Sequence, residues 1–493
     1  MVSYASLAMP YGIMINFLNV NVFNFYTDEV LLSLYYIPIV MTIYAIWNAL
    51  NDPLFGLISD KISTRFGRRF PFILFGFLPF TLSFVAMWFI PPNLNIGRIG
   101  ISKIIGYSNG LDLVSHSLKV KPIEYFFNIP FYKYTVPVNQ FYIFLYMVSF
   151  LLIFDTLFTM VLLSWQSLFP EKFTKEKDRN YVAAITQTIR MLGSVFALVI
   201  PPIFITYGDI FSYRKPVIIL VCIVLVGFLI SLYGSQDRKL MIEREEQEKQ
   251  VAKETQEEKI SYIKAIGRVL RNKNLIAYAL ALGFSNIAFL ILMAMMRYMN
   301  KWVLIQDPIF ETAFNAVAFG VGIATFYFWI KVSLKRGPKF VYIICGTMFS
   351  VALIPLLFAN ENWTWITLVV MFFVGLSLSG LLLVPDILIS EVVDDDKDKS
   401  GENREGLVYG FFGFTSRIAI VIESYLITLV LNISNFDPSL AVQPEGAKMG
   451  IKFLLAGVPL ICFLIGNLLM IFLYDLSRKR IEKRDGKKLS LIH

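Results

Sequence analysis

The chain has 493 residues, of which 56% are hydrophobic and 16% charged, against roughly a quarter charged in an ordinary soluble domain. That excess of apolar surface excludes a soluble globular protein and points to repeated bilayer crossing. The net charge of +9 falls in short gaps between apolar runs, so it reports topology and not nucleic-acid binding.

A hydrocarbon layer about 30 Å thick takes about 20 residues of helix. Twelve apolar runs of that order follow one another, at 8–27, 31–58, 71–91, 141–168, 182–206, 216–234, 274–299, 313–334, 339–359, 364–389, 406–432 and 450–475. The first run is preceded by neither a basic stretch nor a small-residue cleavage site, so it serves as its own signal. An outer loop of about 92–140 is long, aromatic and proline-rich, and no role is assigned to it. Residues 235–273 mix both charge signs and read as a solvated helical linker; 1–234 and 274–475 are then two six-helix halves, and 476–493 is a basic tail. The cysteines, Cys222, Cys345 and Cys462, lie inside apolar runs and suggest no disulfide framework.

Lys61, Arg65, Arg68 and Arg69, then Lys172, Lys175, Lys177 and Arg179, then Lys331, Lys335, Arg336 and Lys339 mark one side of the membrane. The positive-inside bias makes that side, with both termini, cytoplasmic, and a multi-pass protein of the cell membrane is expected. Arg65-Phe66-Gly67-Arg68-Arg69 after the second helix is echoed by Lys335-Arg336-Gly337-Pro338-Lys339 after the eighth. A repeat six helices apart is the mark of an all-α membrane protein of the major facilitator fold, with its solute site near mid-membrane.

Three features carry chemistry. Gly56 and Asp60, followed by Arg65, Gly67 and Arg68, form an inner turn whose charges can latch one transporter state closed. Asp52 lies well inside an apolar helix, where a carboxylate costs several kcal/mol unless neutralised or paired, and so is a functional residue by default. Asp394, Asp395, Asp396 and Asp398 sit in what reads as a hydrophilic inner loop beside Lys397, Lys399 and Arg404, and no metal is expected there. Only two histidines occur, His116 and His493, and no GxxxxGK[ST] loop, so neither a catalytic constellation nor ATP-driven pumping is indicated.

Several stretches resemble the glycoside–pentoside–hexuronide cation symporters, the branch of the major facilitator superfamily that includes the melibiose carrier. They are Phe25-Tyr26-Thr27-Asp28, Trp47-Asn48-Ala49-Leu50-Asn51-Asp52-Pro53 through Gly56, Trp165-Gln166-Ser167-Leu168-Phe169-Pro170-Glu171, and Glu391 through Asp394 with Gly401-Glu402-Asn403-Arg404 through Gly410. The resemblance implies that Asp52 binds the coupling cation, that Asn51 influences cation choice, and that Arg417 supplies the basic residue beside the site. A second carboxylate, one turn before Asp52, is replaced by Asn48. Asp52 and Arg417 alone sum to zero charge, which favours H⁺ over Na⁺ as coupling ion and leaves uniport open; no cofactor is expected.

The resemblance also implies hydroxyl-binding carboxylates in the first and fourth helices, but the aligned positions are Gly12 and Leu162. Asn16 and Asn19, on one face of the first helix, and Asp155 are local replacements, with Gln166, Gln187 and Arg190 adding polar groups and Trp165, Tyr26 and Tyr44 offering ring faces. Arg190 and Arg297 are costly in a membrane and have Asp155 and Glu423 as candidate partners. The reading is a non-enzymatic alternating-access transporter for a sugar or glycoside, acting as a monomer in the lipid bilayer. A sugar acid, other organic anion or amphiphile is the alternative cargo, and a non-transporting receptor or membrane enzyme the remote one.

Overall fold

The computed structural model describes residues 1–61, 69–91, 126–127, 136–173, 176–236, 272–400, 405–438, 440 and 442–476. They are almost wholly helical. In chain order these are α1 Val2–Ala5, α2 Ala8–Asn24, α3 Tyr36–Lys61, α4 Phe70–Trp88, α5 Val138–Lys172, α6 Glu176–Phe204 and α7 Arg214–Ser235. Then come α8 Lys273–Tyr298, α9 Pro308–Arg336, α10 Pro338–Leu353, α11 Thr364–Ser400, α12 Glu405–Ile433, α13 Glu445–Lys452 and α14 Val458–Phe472. Short π-helical turns extend α2 over Phe25–Glu29 and α8 over Met299–Val303, and another joins α13 to α14 over Phe453–Gly457. A two-residue antiparallel pair, Phe126–Phe127 with Val136–Pro137, is the only β-structure among the described residues.

Eleven of these helical stretches are long and apolar enough to cross a membrane. The twelfth long helix, α3, has 26 residues but is not among them. Its second half carries Asn48, Asn51 and Asp52 in place of apolar side chains.

Two compact units result. The first comprises Met1–Ile15, Asn21–Ser194 and Phe204–Ile242, the second Asn16–Val20, Val195–Ile203 and Glu243–His493. In the first, α4 packs on α5 and α7, α3 on α5, and α1 on α7. Small residues let α2 and α6 touch backbone to backbone: a Cβ added at Gly193 would lie 2.7 Å from the Met9 carbonyl oxygen, and one at Gly12 would collide with the carbonyl of Arg190. Gly12 therefore has no room for the carboxylate that the resemblance implies there.

In the second unit α9 and α10 pack on α11, and α8 on α12 and α14. The Lys335–Lys339 motif makes the α9–α10 turn: Gly337 adopts φ 88°, closed to most side chains, and Pro338 opens the next helix. Its counterpart, Arg65, Gly67 and Arg68, lies outside the described residues, as do the linker 237–271 and most of the loop 92–140.

Two expectations are corrected in this unit. The acidic stretch Asp394–Asp398 is not a loop, because α11 runs on to Ser400. Buried Asp395 accepts from Asn274 Nδ2 at 3.0 Å and pairs with Lys399, while Asp396 accepts from Asn272 Nδ2 at 3.3 Å. A polar helix end leaves no apolar signal, yet these bonds tie it to the start of α8. Arg297, for which Asp155 and Glu423 were the candidate partners, finds an acid elsewhere. It meets Glu311 of α9 at 3.1 Å, both side chains 2% exposed, and so the buried charges cancel locally.

Candidate functional site

The first unit contains two polar groupings, both built on α5. One is a ladder between α3 and α5. Asn48 Nδ2 donates to Asp155 Oδ1 at 2.5 Å, Asn51 Nδ2 to Asp155 Oδ2 at 3.3 Å and to its backbone carbonyl at 3.2 Å, and Thr159 Oγ1 donates to Asp52 Oδ1 at 3.0 Å. Trp47 Nε1 adds a bond to Thr156 Oγ1 at 3.0 Å.

The rungs are regular because the two helices run parallel. Asn48 and Asp52 are four apart on α3, Asp155 and Thr159 four apart on α5, and residues four apart share a helix face. Asp155 is 1% exposed, whereas Asp52 is half-buried. Asp155, expected to serve the solute, is instead bonded to the amides expected to serve the cation.

The other grouping is a cavity of about 260 Å³ between α1, α2, α5 and α6, lined by Tyr4, Tyr11, Trp165, Gln166, Phe169, Ala183, Thr186, Gln187 and Arg190. Its aromatic wall is held internally: Tyr4 Oη donates to the Trp165 carbonyl at 2.8 Å, Trp165 Nε1 to the Tyr4 carbonyl at 3.0 Å, and the rings stack with centroids 5.3 Å apart. The Arg190 guanidinium lies over the Tyr11 ring at 5.6 Å, a cation–π contact. Among the described residues it pairs with no carboxylate, and no acidic residue lines the cavity. Thr186 Oγ1 is buried there without a hydrogen-bond partner. Such an orphan hydroxyl costs about 1–3 kcal/mol unless something completes it.

Trp165, Gln166, Gln187 and Arg190 thus line one cavity. Asn16 and Asn19, half-buried on α2, do not line the cavity, and neither does half-buried Tyr44. Tyr26 is fully buried and donates to the Met87 carbonyl at 2.9 Å. Arg417 lies half-buried on α12 in the second unit. Gly56 and Asp60 fall in the last turns of α3, and nothing is described of their side chains. Thr159, Thr186, Tyr4 and Tyr11 were not singled out from sequence; the Asp155–Thr159 spacing was the one signal that could have exposed the first.

Eleven helical stretches long and apolar enough to cross a membrane, counted among the described residues, define a multi-pass membrane protein. The MFS/sugar transport protein family matches residues 3–107 and 123–478, and the chain belongs to it, within the major facilitator superfamily. It is 23% identical to an uncharacterized symporter of Synechocystis over 89% of this chain and 87% of that one. To the sodium-dependent lysophosphatidylcholine symporter 1 of Xenopus tropicalis it is 22% identical, over 93% of this chain and 83% of the other. Among solved structures it shares the fold of a D-xylose–proton symporter, with TM-score 0.58, 13% identity and coverage of 97% and 96%. The nucleoside transporter NupG gives TM-score 0.57, 10% identity and coverage of 95% and 98%. A small-molecule substrate and a surrounding bilayer follow from this membership.

Proposed function

We propose that this chain is a cation-coupled symporter of the glycoside–pentoside–hexuronide branch whose cargo carries a negative charge, a sugar acid or similar organic anion. Arg190 carries the reading. A half-buried intramembrane guanidinium without a carboxylate partner among the described residues, facing a cavity free of acidic side chains, is poised for an anion. Gln166, Thr186 and Gln187 supply neutral donors and acceptors for hydroxyls, and the aromatic wall excludes water. The volume, about 260 Å³, suits a small solute or the head group of a larger one.

A neutral sugar or glycoside is the second reading, favoured by the family's description and by those three neutral side chains. The relatives named for lysophosphatidylcholine, a zwitterion, favour instead an amphiphile whose phosphate meets Arg190 without the cargo being a net anion. The coupling cation, H⁺ or Na⁺, binds at Asp52 with Asn48 and Asn51 beside it. Residues 1–234 and 274–475 are the two halves that alternate, Gly56, Asp60, Arg65, Gly67 and Arg68 belong to the inner gate, and the monomer in the cell membrane, termini cytoplasmic, is the working form.

The test is uptake by proteoliposomes of a labelled hexuronate, a neutral glycoside and a lysophospholipid under separately imposed Na⁺ and pH gradients, with Arg190→Gln and Arg190→Lys alongside. An anion that accumulates and is lost roughly tenfold or more in Arg190→Gln, with partial recovery in Arg190→Lys, supports the reading. Accumulation of the neutral glycoside alone, indifferent to Arg190→Gln, overturns it in favour of sugar transport.

A further inference from the structure

Asp155 is a carboxylate 1% exposed in the middle of a membrane helix, and the cavity for the solute does not include it. Two amides of α3 bond its carboxylate: Asn48 at 2.5 Å and Asn51 at 3.3 Å. Asn48 stands where the resemblance implies an acid. In this inter-helix hydrogen bond the acid stands on α5 and the amide on α3, four residues before Asp52. One rung along, Thr159 of α5 binds Asp52 at 3.0 Å, so both carboxylates belong to one polar ladder.

We propose that Asp155 is the second carboxylate of the coupling site and that it sets the ion to Na⁺. The proposal rests on the reading that α3 holds the coupling cation. The count from sequence, Asp52 with Arg417, sums to zero. With Asp155 added the sum is minus one, and in a low-dielectric setting a bound cation offsets the remaining charge. The Thr159 hydroxyl, the carboxylates and the amide carbonyls are oxygen donors of the kind that hard cations take. The charge count from sequence, which favoured H⁺, omitted Asp155 because the acid is 107 residues from Asn48 and on another helix.

The experiment uses the full chain in detergent and in proteoliposomes, with Na⁺ titrated against thermal unfolding and against the fluorescence of Trp47, whose Nε1 bonds Thr156 in the same ladder. The variants are Asp155→Asn, the exchange Asn48→Asp with Asp155→Asn, and Asp52→Asn. The wild type is expected to respond to Na⁺, Asp155→Asn to need roughly tenfold more Na⁺ or worse, and the exchange variant to regain a response close to wild type. A merely structural Asp155 would lower the melting temperature and leave the Na⁺ midpoint unmoved. Asp155→Asn titrating like wild type while Asp52→Asn does not respond overturns this assignment and leaves the coupling site at Asp52 standing. If Asp52→Asn also titrates like wild type, the α3 reading itself falls. A wild type driven by a pH gradient and blind to Na⁺ overturns the ion choice, and loss of folding in both Asp155 variants makes the residue structural.

Discussion

The pairs α3–α5 and α9–α11 occupy the same place in the two six-helix repeats, yet they are joined by different chemistry. In the first unit the bonds run from amides and a threonine to two carboxylates, Asp52 and Asp155. In the second, Thr325 Oγ1 and Ser379 Oγ lie 3.0 Å apart, and Trp329 Nε1 donates to the Leu376 carbonyl at 2.7 Å. A tryptophan donating across the interface is common to both, since Trp47 does the same towards Thr156. The neutral pair needs only to pack, whereas the charged pair holds acids that cost energy in a membrane and that packing alone does not require. Duplication of a fold thus leaves the contact and frees one copy for function.

Substitutions can break that contrast. The largest effect is expected from Asp52→Asn, which removes cation-driven accumulation, by roughly 100-fold or more, while solute exchange without a gradient persists; counterflow assays beside gradient-driven uptake separate the two. Next comes Gly12→Leu, which forces a side chain into the α6 backbone and is expected to cost about 1–3 kcal/mol, read as a lower melting temperature in detergent. Thr159→Val removes a single bond to Asp52 and should weaken the cation response several-fold, about 1 kcal/mol, with little change in solute affinity measured without a gradient. The smallest effect is expected from Thr325→Val, under about 1 kcal/mol of stability and with an unchanged cation midpoint. A cation midpoint that moved with Thr325→Val as much as with Thr159→Val would dissolve the distinction between the two pairs.

The helices were legible because each needs a long apolar run to satisfy its backbone within lipid. Where that demand stops, so did the legibility: α11 continues eleven residues beyond the predicted end at 389, to Ser400, through charged residues that no longer face hydrocarbon. Two further repeated features were invisible in the letters. The π turns after α2 and α8 are each followed by a left-handed residue, Leu31 at φ 61° and Ile305 at φ 52°, with matching bonds from Val30 to Phe25 and from Leu304 to Met299. FYTDE and MNKWV share no residue position for position, so the backbone keeps a likeness that the side chains have lost.

In the site, Asp52, Asn48 and Asn51 stood out because polarity inside an apolar helix is costly wherever it occurs. Arg190, Gln187 and Gln166 stood out for the same reason, Trp165 for its ring face, and the four share a cavity. Partner choice was not legible. Asp155 was assigned to the solute because it lies seven residues before Leu162 on the same helix, whereas its bonds depend on which turn of α3 lies beside it. Arg297 found Glu311 across the short connection to α9, a pairing that an inventory of intramembrane charges leaves open.

One 35-residue helix, α5, carries Asp155 and Thr159 near its middle and Trp165 and Gln166 further along. At 1.5 Å per residue, Asp155 and Gln166 are about 16 Å apart along the axis, with no proline or glycine between them to act as a joint. On the proposed assignment, ion occupancy and cargo meet as two loads on one stiff strut. A small roll or slide of α5 on filling the ion ladder is delivered to the cavity wall whole, without a relay of side chains, and a kink at Leu162 would leave each end able to bind and neither able to inform the other.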